Sequence, residues 1–323
     1  MDTTIGKMRI YGCGGAGINI ASAFADGREY PASALIQASF LDTSRSNIKA
    51  MVAEDQIYIL PNVDGSGKIR SENHLSISGA IKDMLVKHKP ADFNVVIFSA
   101  SGGSGSVIGP LILKELISRG ETAVAVVIGS SESQLTTKNT LNTLKSLEAI
   151  CKQIHYPIVM HYQHNHRNLK RSEVDANLRF AVAALAILAS RQNEGLDRQD
   201  LFNWVNYTRT TDLQPSVALL DVCLNNEEVN KVKNPVSIAS LFADPDQEPL
   251  DVTPEYHCDG YVALPQEFQA VNMHFVISLD DVGSVAQGVS ETLRNLDEVH
   301  RSRLAPATII SKDDHITDDG MVL

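Results

Sequence analysis

Residues 8–24 read MRIYGCGGAGINIASAF, and residues 95–116 read VVIFSASGGSGSVIGPLILKEL. Each stretch runs from an apolar, strand-like segment through a glycine-rich turn into a helix-like segment. The first turn carries Gly12, Gly14, Gly15 and Gly17; the second interleaves Gly102, Gly103 and Gly105 with Ser101, Ser104 and Ser106. Glycine lets a backbone turn tightly and approach an anion, the N–H groups of the turn point inward, and the helix N-terminus adds partial positive charge. One such loop is weak evidence. Two of them on neighbouring strands of one sheet suggest a polyphosphate gripped from two sides.

The sequence around these loops alternates. Strands are expected at 8–11, 34–41, 56–60, 94–99, 122–128 and 156–161, and helices over 18–25, 75–88, 107–119 and 139–154. Continuous β-branched runs separated by helices mean a parallel sheet covered on both faces. A long helix is expected over 172–190; its AVAALAILAS stretch is apolar nearly all round, so it should lie buried in mid-molecule. Further strands near 217–222, 260–264 and 273–278 and a helix over 282–295 suggest a smaller α/β domain, with NNEEVNKVKNP and ADPDQEPLDVTPEY as polar loops. The chain closes on DDHITDDGMVL, acidic with an apolar tip.

Composition narrows the function. The 323 residues are 43% hydrophobic and 21% charged, enough for a full core, and the formal net charge of -11 argues against a nucleic-acid partner. Cys13, Cys151, Cys223 and Cys258 stand far apart without CxxC spacing, which fits a reducing cytoplasm and no zinc site. No apolar run reaches the roughly 18–20 residues that span a bilayer, and the N-terminus lacks a signal-peptide stretch, so a cytoplasmic protein without a membrane partner is expected. His155, His161, His164 and His166 do not have zinc spacing; His164 and His166 read as a polar loop.

Gly12 to Gly17 also satisfies GxGxxG, and Asp42 stands 25 residues after Gly17, near where a ribose-binding acid sits in a dinucleotide fold. An NAD(P)-dependent oxidoreductase is therefore the alternative reading. Against it stand the second glycine-serine loop, the polar run Thr43-Ser44-Arg45-Ser46-Asn47, which suits phosphate or metal-water contacts, and the further turn Asp64-Gly65-Ser66-Gly67-Lys68. That turn is half a Walker loop, lacking the first glycine and the hydroxyl after Lys68. With no lysine in either main loop, phosphate charge falls to backbone N–H groups, hydroxyls and a cation.

GCGGAGINIA is similar to the GxGGAGxN loop of the tubulin/FtsZ superfamily of GTP-dependent cytoskeletal proteins, and SGGSGS to its GGGTGTG signature. Ser104 and Ser106 replace threonines there, and Ser101 and Val107 replace glycines. The helix from Ser172 followed by GLDRQD resembles the family's central helix and acidic loop. The match in motif order covers about the first 210 residues; the remainder fits in size and position. The short chain, divergent signature and acidic tail most resemble the phage-encoded tubulins.

The resemblance implies a Rossmann-like parallel-sheet GTP-binding domain (1–171), a central helix with an acidic catalytic loop (172–209), a smaller α/β C-terminal domain (210–310) and an acidic tail (311–323). GTP or GDP would lie over Gly12, Cys13, Gly14 and Gly15 and over Ser101, Gly102, Gly103, Ser104, Gly105 and Ser106, with Asp42, Thr43, Ser44, Gly67 and Lys68 nearby. Asp175 or Asn177 would read the guanine edge, the register leaving both open, with Asn165 and Asn19 near the base. The ribose loop departs from the family: SSESQLTTKN shifts Glu132 and puts Asn139 near the position of an arginine. Asp197 and Asp200 would reach the γ-phosphate of the nucleotide held by the next subunit, with Mg²⁺ carried by phosphates and water rather than protein ligands. The implied protein is a GTPase that polymerises head-to-tail with itself into dynamic filaments. It would work in the cytoplasm of a phage-infected bacterium, positioning phage material. The tail, with Asp313, Asp314, Asp318 and Asp319 before Met321, Val322 and Leu323, would dock on a neighbouring subunit. A nucleotide-bound structural polymer with little GTPase is the further alternative.

Overall fold

The sheet is built outward from Phe93–Ser99 (β4 in chain order), whose alternate side chains serve two cores: Phe93, Val95 and Ile97 face one, Val96 and Phe98 the other. A strand buried on both faces has to be apolar throughout, as FNVVIFS nearly is. The computed structural model describes residues 5–26, 32–49, 52–165, 169–244, 246, 250–262, 271–279 and 281–303. The expected docking tail and His166 lie outside them.

In chain order the strands are β1 (Lys7–Cys13), β2 (Leu35–Asp42), β3 (Ile57–Ile59), β4, β5 (Ala123–Ser130), β6 (Ile158–Asn165), β7 (Asn193–Glu194), β8 (Val217–Cys223), β9 (Pro235–Phe242), β10 (Tyr256–Val262) and β11 (Met273–Ser278). The helices are α1 (Gly14–Ala21), α2 (His74–Lys87), α3 (Gly105–Ser118), α4 (Gln134–Ile154), α5 (Arg171–Leu188), α6 (Arg198–Val205), α7 (Asn226–Val229) and α8 (Asp281–Arg303). All these strands join one sheet in the order β3-β2-β1-β4-β5-β6-β8-β11-β9-β10-β7. Pairing is parallel from β3 to β8, antiparallel on either side of β11, and parallel again between β9 and β10. The order reverses between β1 and β4, the topological switch point where open α/β sheets place ligands.

Helices α1, α5 and α6 cover one face and α2, α3, α4 and α8 the other. As expected, α5 is buried on nearly every side in its C-terminal half, Ala181 to Leu188; its first half keeps an exposed edge that includes Asn177 and Phe180. Trp204 anchors α6: its indole N–H donates to the Phe275 carbonyl at 3.1 Å, and its own carbonyl accepts from Ser237 Oγ at 3.0 Å. Among the described residues no helix is long and apolar enough to cross a membrane.

Several elements differ from expectation. Helix α1 begins at Gly14 rather than residue 18, inside the glycine loop. Helix α4 begins five residues before Asn139, because Ser133 and Thr136 form a capping box at its start. Strand β6 continues to Asn165, so His164 is on a strand and not in a loop. Strand β9 and the short α7 were not expected, and β10 starts inside the stretch read as a polar loop.

Candidate functional site

Both glycine loops emerge at the C-terminal ends of the adjacent strands β1 and β4 and open into α1 and α3, and both line one cavity of about 710 Å³. That volume suits a nucleotide-sized ligand. The loops interlock. Gly14 has a φ of +67°, and a Cβ on it would lie 2.7 Å from Gly105 Cα; a Cβ on Gly105 would lie 2.5 Å from the Cys13 carbonyl oxygen. The close approach leaves the N-termini of both helices directed at the same space, a geometry suited to an anion.

Hydroxyls tie the remaining loops to this frame. Ser104 Oγ is 2.5 Å from Thr43 Oγ1 and 2.9 Å from Ser66 Oγ, and Asn73 donates to Ser66 Oγ at 3.1 Å. Asp42, 2% exposed, accepts from the Thr43 N–H at 2.7 Å and from Asn47 Nδ2 at 2.9 Å. Burial raises its pKa, opposed first by the hydrogen bond from Asn47. Ser44 donates to Asp64 at 2.7 Å. Burial pushes the Cys13 thiol well up, so it meets a ligand as a neutral group.

The far end of the cavity is different chemistry. Asn19 Nδ2 donates to Asp175 Oδ2 at 2.9 Å, and the buried Oδ1 of Asn165 has no partner among the described residues. Arg171, one helical turn before Asp175, makes a three-bond bridge to Glu132, at 2.6, 2.7 and 3.1 Å. Asp175, Asn165, Glu132 and Arg171 all line the cavity.

Of the expected residues, Cys13, Gly14, Gly15, Asn19, Asp42, Ser44, Gly67, Lys68, Ser101 to Gly105, Glu132, Asn165 and Asp175 line this cavity. Five do not. Gly12 faces Ala21 and Gly17, where its missing side chain lets α1 sit on β1. Thr43 and Ser106 are fully buried, with their hydroxyls engaged by Ser104 and by the Gly102 and Gly103 carbonyls. Asn139 is buried under the loops and donates to the carbonyls of Lys68 at 2.8 Å and Ser101 at 3.2 Å. Asn177 points to solvent, because two residues along α5 turn it well away from Asp175. Asn47, Asp64 and Ser66, which the sequence marked only as members of polar runs, line the same cavity, as does Arg171, which nothing in the sequence singled out.

Asp197 and Asp200 are elsewhere. Asp197 caps α6, accepting from the Gln199 and Asp200 N–H groups at 2.7 and 2.9 Å, while Asp200 Oδ2 accepts from the Asp197 N–H at 2.9 Å. Asp197 lines a hollow with Arg191, Leu196, Arg198 and Gln199, and a second one with Asp92 and Phe93 at the start of β4. The cavity lies at the other end of that seven-residue strand, about 23 Å away. One chain therefore does not bring its acidic pair to its own cavity.

Residues 7–170 match the tubulin/FtsZ family GTPase domain, and residues 196–282 match the C-terminal domain of phage tubulin-like proteins. The chain belongs to the tubulin/FtsZ family. Within it, the chain is similar to a phage tubulin-like protein of Pseudomonas phage PhiPA3, 31% identical over 98% of this chain and 99% of that one. Two solved structures are similar over 98% of this chain and 99% of theirs, each with a TM-score of 0.88. They are a protofilament of TubZ from bacteriophage PhiKZ (29% identical) and the phage tubulin PhuZ with GDP (27% identical). The oxidoreductase alternative finds no support: the second loop, for which it has no use, lines the same cavity as the first.

The Asp42 and Asp64 carboxylates and the Ser44 hydroxyl line the cavity, an oxygen donor set that fits a hydrated magnesium ion.

Proposed function

We infer that this chain is a GTPase whose subunits assemble head-to-tail into filaments, each subunit completing the active site of the next. The observation that carries the reading is the separation of the cavity and the acidic pair to opposite ends of β4. A heterologous contact that joins one end to the other does not close, and it grows as a filament.

In this reading the triphosphate lies against the N-termini of α1 and α3, with Ser101, Ser104 and the backbone N–H groups of Gly14 to Gly15 and Gly102 to Gly105 around it. Asp42, Asp64 and Ser44 would hold a hydrated magnesium ion, which would supply charge neutralisation to the phosphates. Asp175 accepts from the guanine N1–H and exocyclic amine, which adenine does not present in that pattern. Asn165 offers its unpartnered amide oxygen to the same donor edge. Glu132 accepts from the ribose. Asp197 and Asp200 of the adjoining subunit orient a water in line with the γ-phosphorus. Its oxygen bonds to phosphorus as the bridge to the β-phosphate breaks, and its proton passes to the acidic pair or to phosphate.

The setting is the cytoplasm of a bacterium infected by the phage that encodes the chain, where a polar filament would position phage material. Light scattering with Mg²⁺ and GTP, GDP or ATP tests the reading. A rise with GTP alone, and a specific GTPase rate that grows with protein concentration, are expected. A GTPase rate independent of concentration would overturn the shared active site. A rise that never decays, with no phosphate released, would favour the structural polymer.

A further inference from the structure

Asp92, the residue before β4, gathers one backbone donor and two guanidinium groups from three segments. Its Oδ2 accepts from the Lys7 N–H at the start of β1 at 3.1 Å. Its Oδ1 lies 3.4 Å from a guanidinium nitrogen of Arg191 and 3.4 Å from one of Arg198. Arg191 and Arg198 bracket the turn between α5 and α6 that ends in Asp197, and Arg198 is the residue next to Asp197. Arg191 takes a left-handed backbone with φ of 57°, a conformation that a non-glycine residue holds only when its surroundings fix it. Asp92 is only 25% exposed, Arg191 28%.

We propose that Asp92 is the positioning residue of the acidic loop, clasping it to the sheet through Arg191 and Arg198 so that Asp197 and Asp200 meet the neighbouring subunit's nucleotide in a fixed place. This rests on the trans-acting role proposed above for the acidic pair. The Asp197–Asp200 capping box fixes the two carboxylates relative to α6, and the pairing of β7 with β10 holds Asn193 and Glu194, but neither ties the segment to the start of β4. Asp92 fixes that turn at both its ends against the first residues of β1 and β4. It also places two guanidinium groups beside the acidic loop, offsetting charge that would otherwise be presented bare to a triphosphate. A misplacement of about 1 Å in such a group costs on the order of a hundredfold in rate, while ligand binding on the far side of the subunit is untouched.

The test uses the full chain under assembling conditions, after GTP turnover by the parent has been measured; no turnover there would count against the proposed function and not against the clasp. Asp92→Asn keeps an acceptor for Lys7 but removes the charge that holds both arginines. The expected result is a kcat per assembled subunit at least tenfold lower, with KM and the GTP dissociation constant within twofold of the parent. Arg198→Gln reads the same contact from an exposed side chain whose loss does not threaten folding, and should lower kcat similarly. The double variant should fall no further than the lower single, since both remove one interaction. An unchanged kcat in either folded single variant, or losses that multiply in the double, would overturn the clasp.

Discussion

Gly14 and Gly105 lie back to back, so close that neither accommodates a side chain: a Cβ on one would fall within 2.7 Å of the other's backbone, and the reverse substitution would strike the Cys13 carbonyl at 2.5 Å. The two phosphate-loop candidates are thus one object. Whatever sets the position of α1 sets that of α3, and an anion placed between them meets two helix N-termini whose spacing is fixed by backbone contact.

Gly105→Ala should therefore damage both loops at once. The added methyl meets backbone, which cannot swing aside, so a strain of about 1–3 kcal/mol is expected to appear as at least a tenfold loss of GTP affinity. Titration with a fluorescent GTP analogue checks it, with the emission of Trp204, the sole tryptophan and fully buried, reporting that the core is intact.

Asp200→Asn separates catalysis from architecture. The amide keeps an oxygen for the Asp197 N–H, so the α6 cap survives, but the charge is lost. GTP should still bind and filaments still form, with phosphate release slowed about a hundredfold or more and filaments persisting after GTP addition. Release at the parental rate would remove Asp200 from the reaction.

Base selection gives a third measurement. Inosine triphosphate lacks the exocyclic amine from which Asp175, in the proposed reading, would accept a hydrogen bond. The parent should prefer GTP over ITP about tenfold, Asp175→Ala should abolish the preference, and Asn177→Ala, on the exposed edge of α5, should leave it intact.

Acid should destabilise the fold through two buried histidines. Burial is the main cause that lowers His88 and His274 to about 4, and each keeps an Nε2 without a partner among the described residues. With folded pKa values below the unfolded 6.5, the unfolded state binds more protons between about pH 4 and 6.5, so stability is full above that window and falls as pH drops through it. Melting temperatures at pH 7.5 and 5.0 should differ by several degrees, and His274→Gln should reduce the difference. A melting curve that does not move would exclude this coupling.

Much of the fold was legible because FNVVIFS and AVAVVIGS are almost wholly apolar, as strands buried on both faces must be. Strand β9 was hidden by its own hydroxyls. Ser237 and Ser240 break the apolar run, yet both are fully buried, their polarity absorbed by the Trp204 carbonyl and by His274. The start of α4 was hidden likewise: Thr136, Thr137, Asn139 and Thr140 face inward, so the buried side carries no hydrophobic period. The threonines turn their hydroxyls back on nearby carbonyls, while Asn139 and Ser237 find partners in distant chain, which a single sequence does not display. The same applies to the site. Glycine spacing marked the loops, but the choice of Asp175 over Asn177 depends on helical phase, and Arg171 reveals itself only by meeting Glu132 across 39 residues.

A row of such subunits has unlike tips. With the active site shared between subunits as proposed, the last cavity at one tip would be open, with no neighbour's carboxylates over it, so its nucleotide could be swapped with the surroundings; at the other, an acidic pair would face water with nothing to act upon. Every row would then carry one triphosphate that cannot be spent, whatever its length, and a severed row would expose a cavity whose content has already aged. Growth and breakage would leave different chemical signatures, a clock written by the seven residues of a single strand.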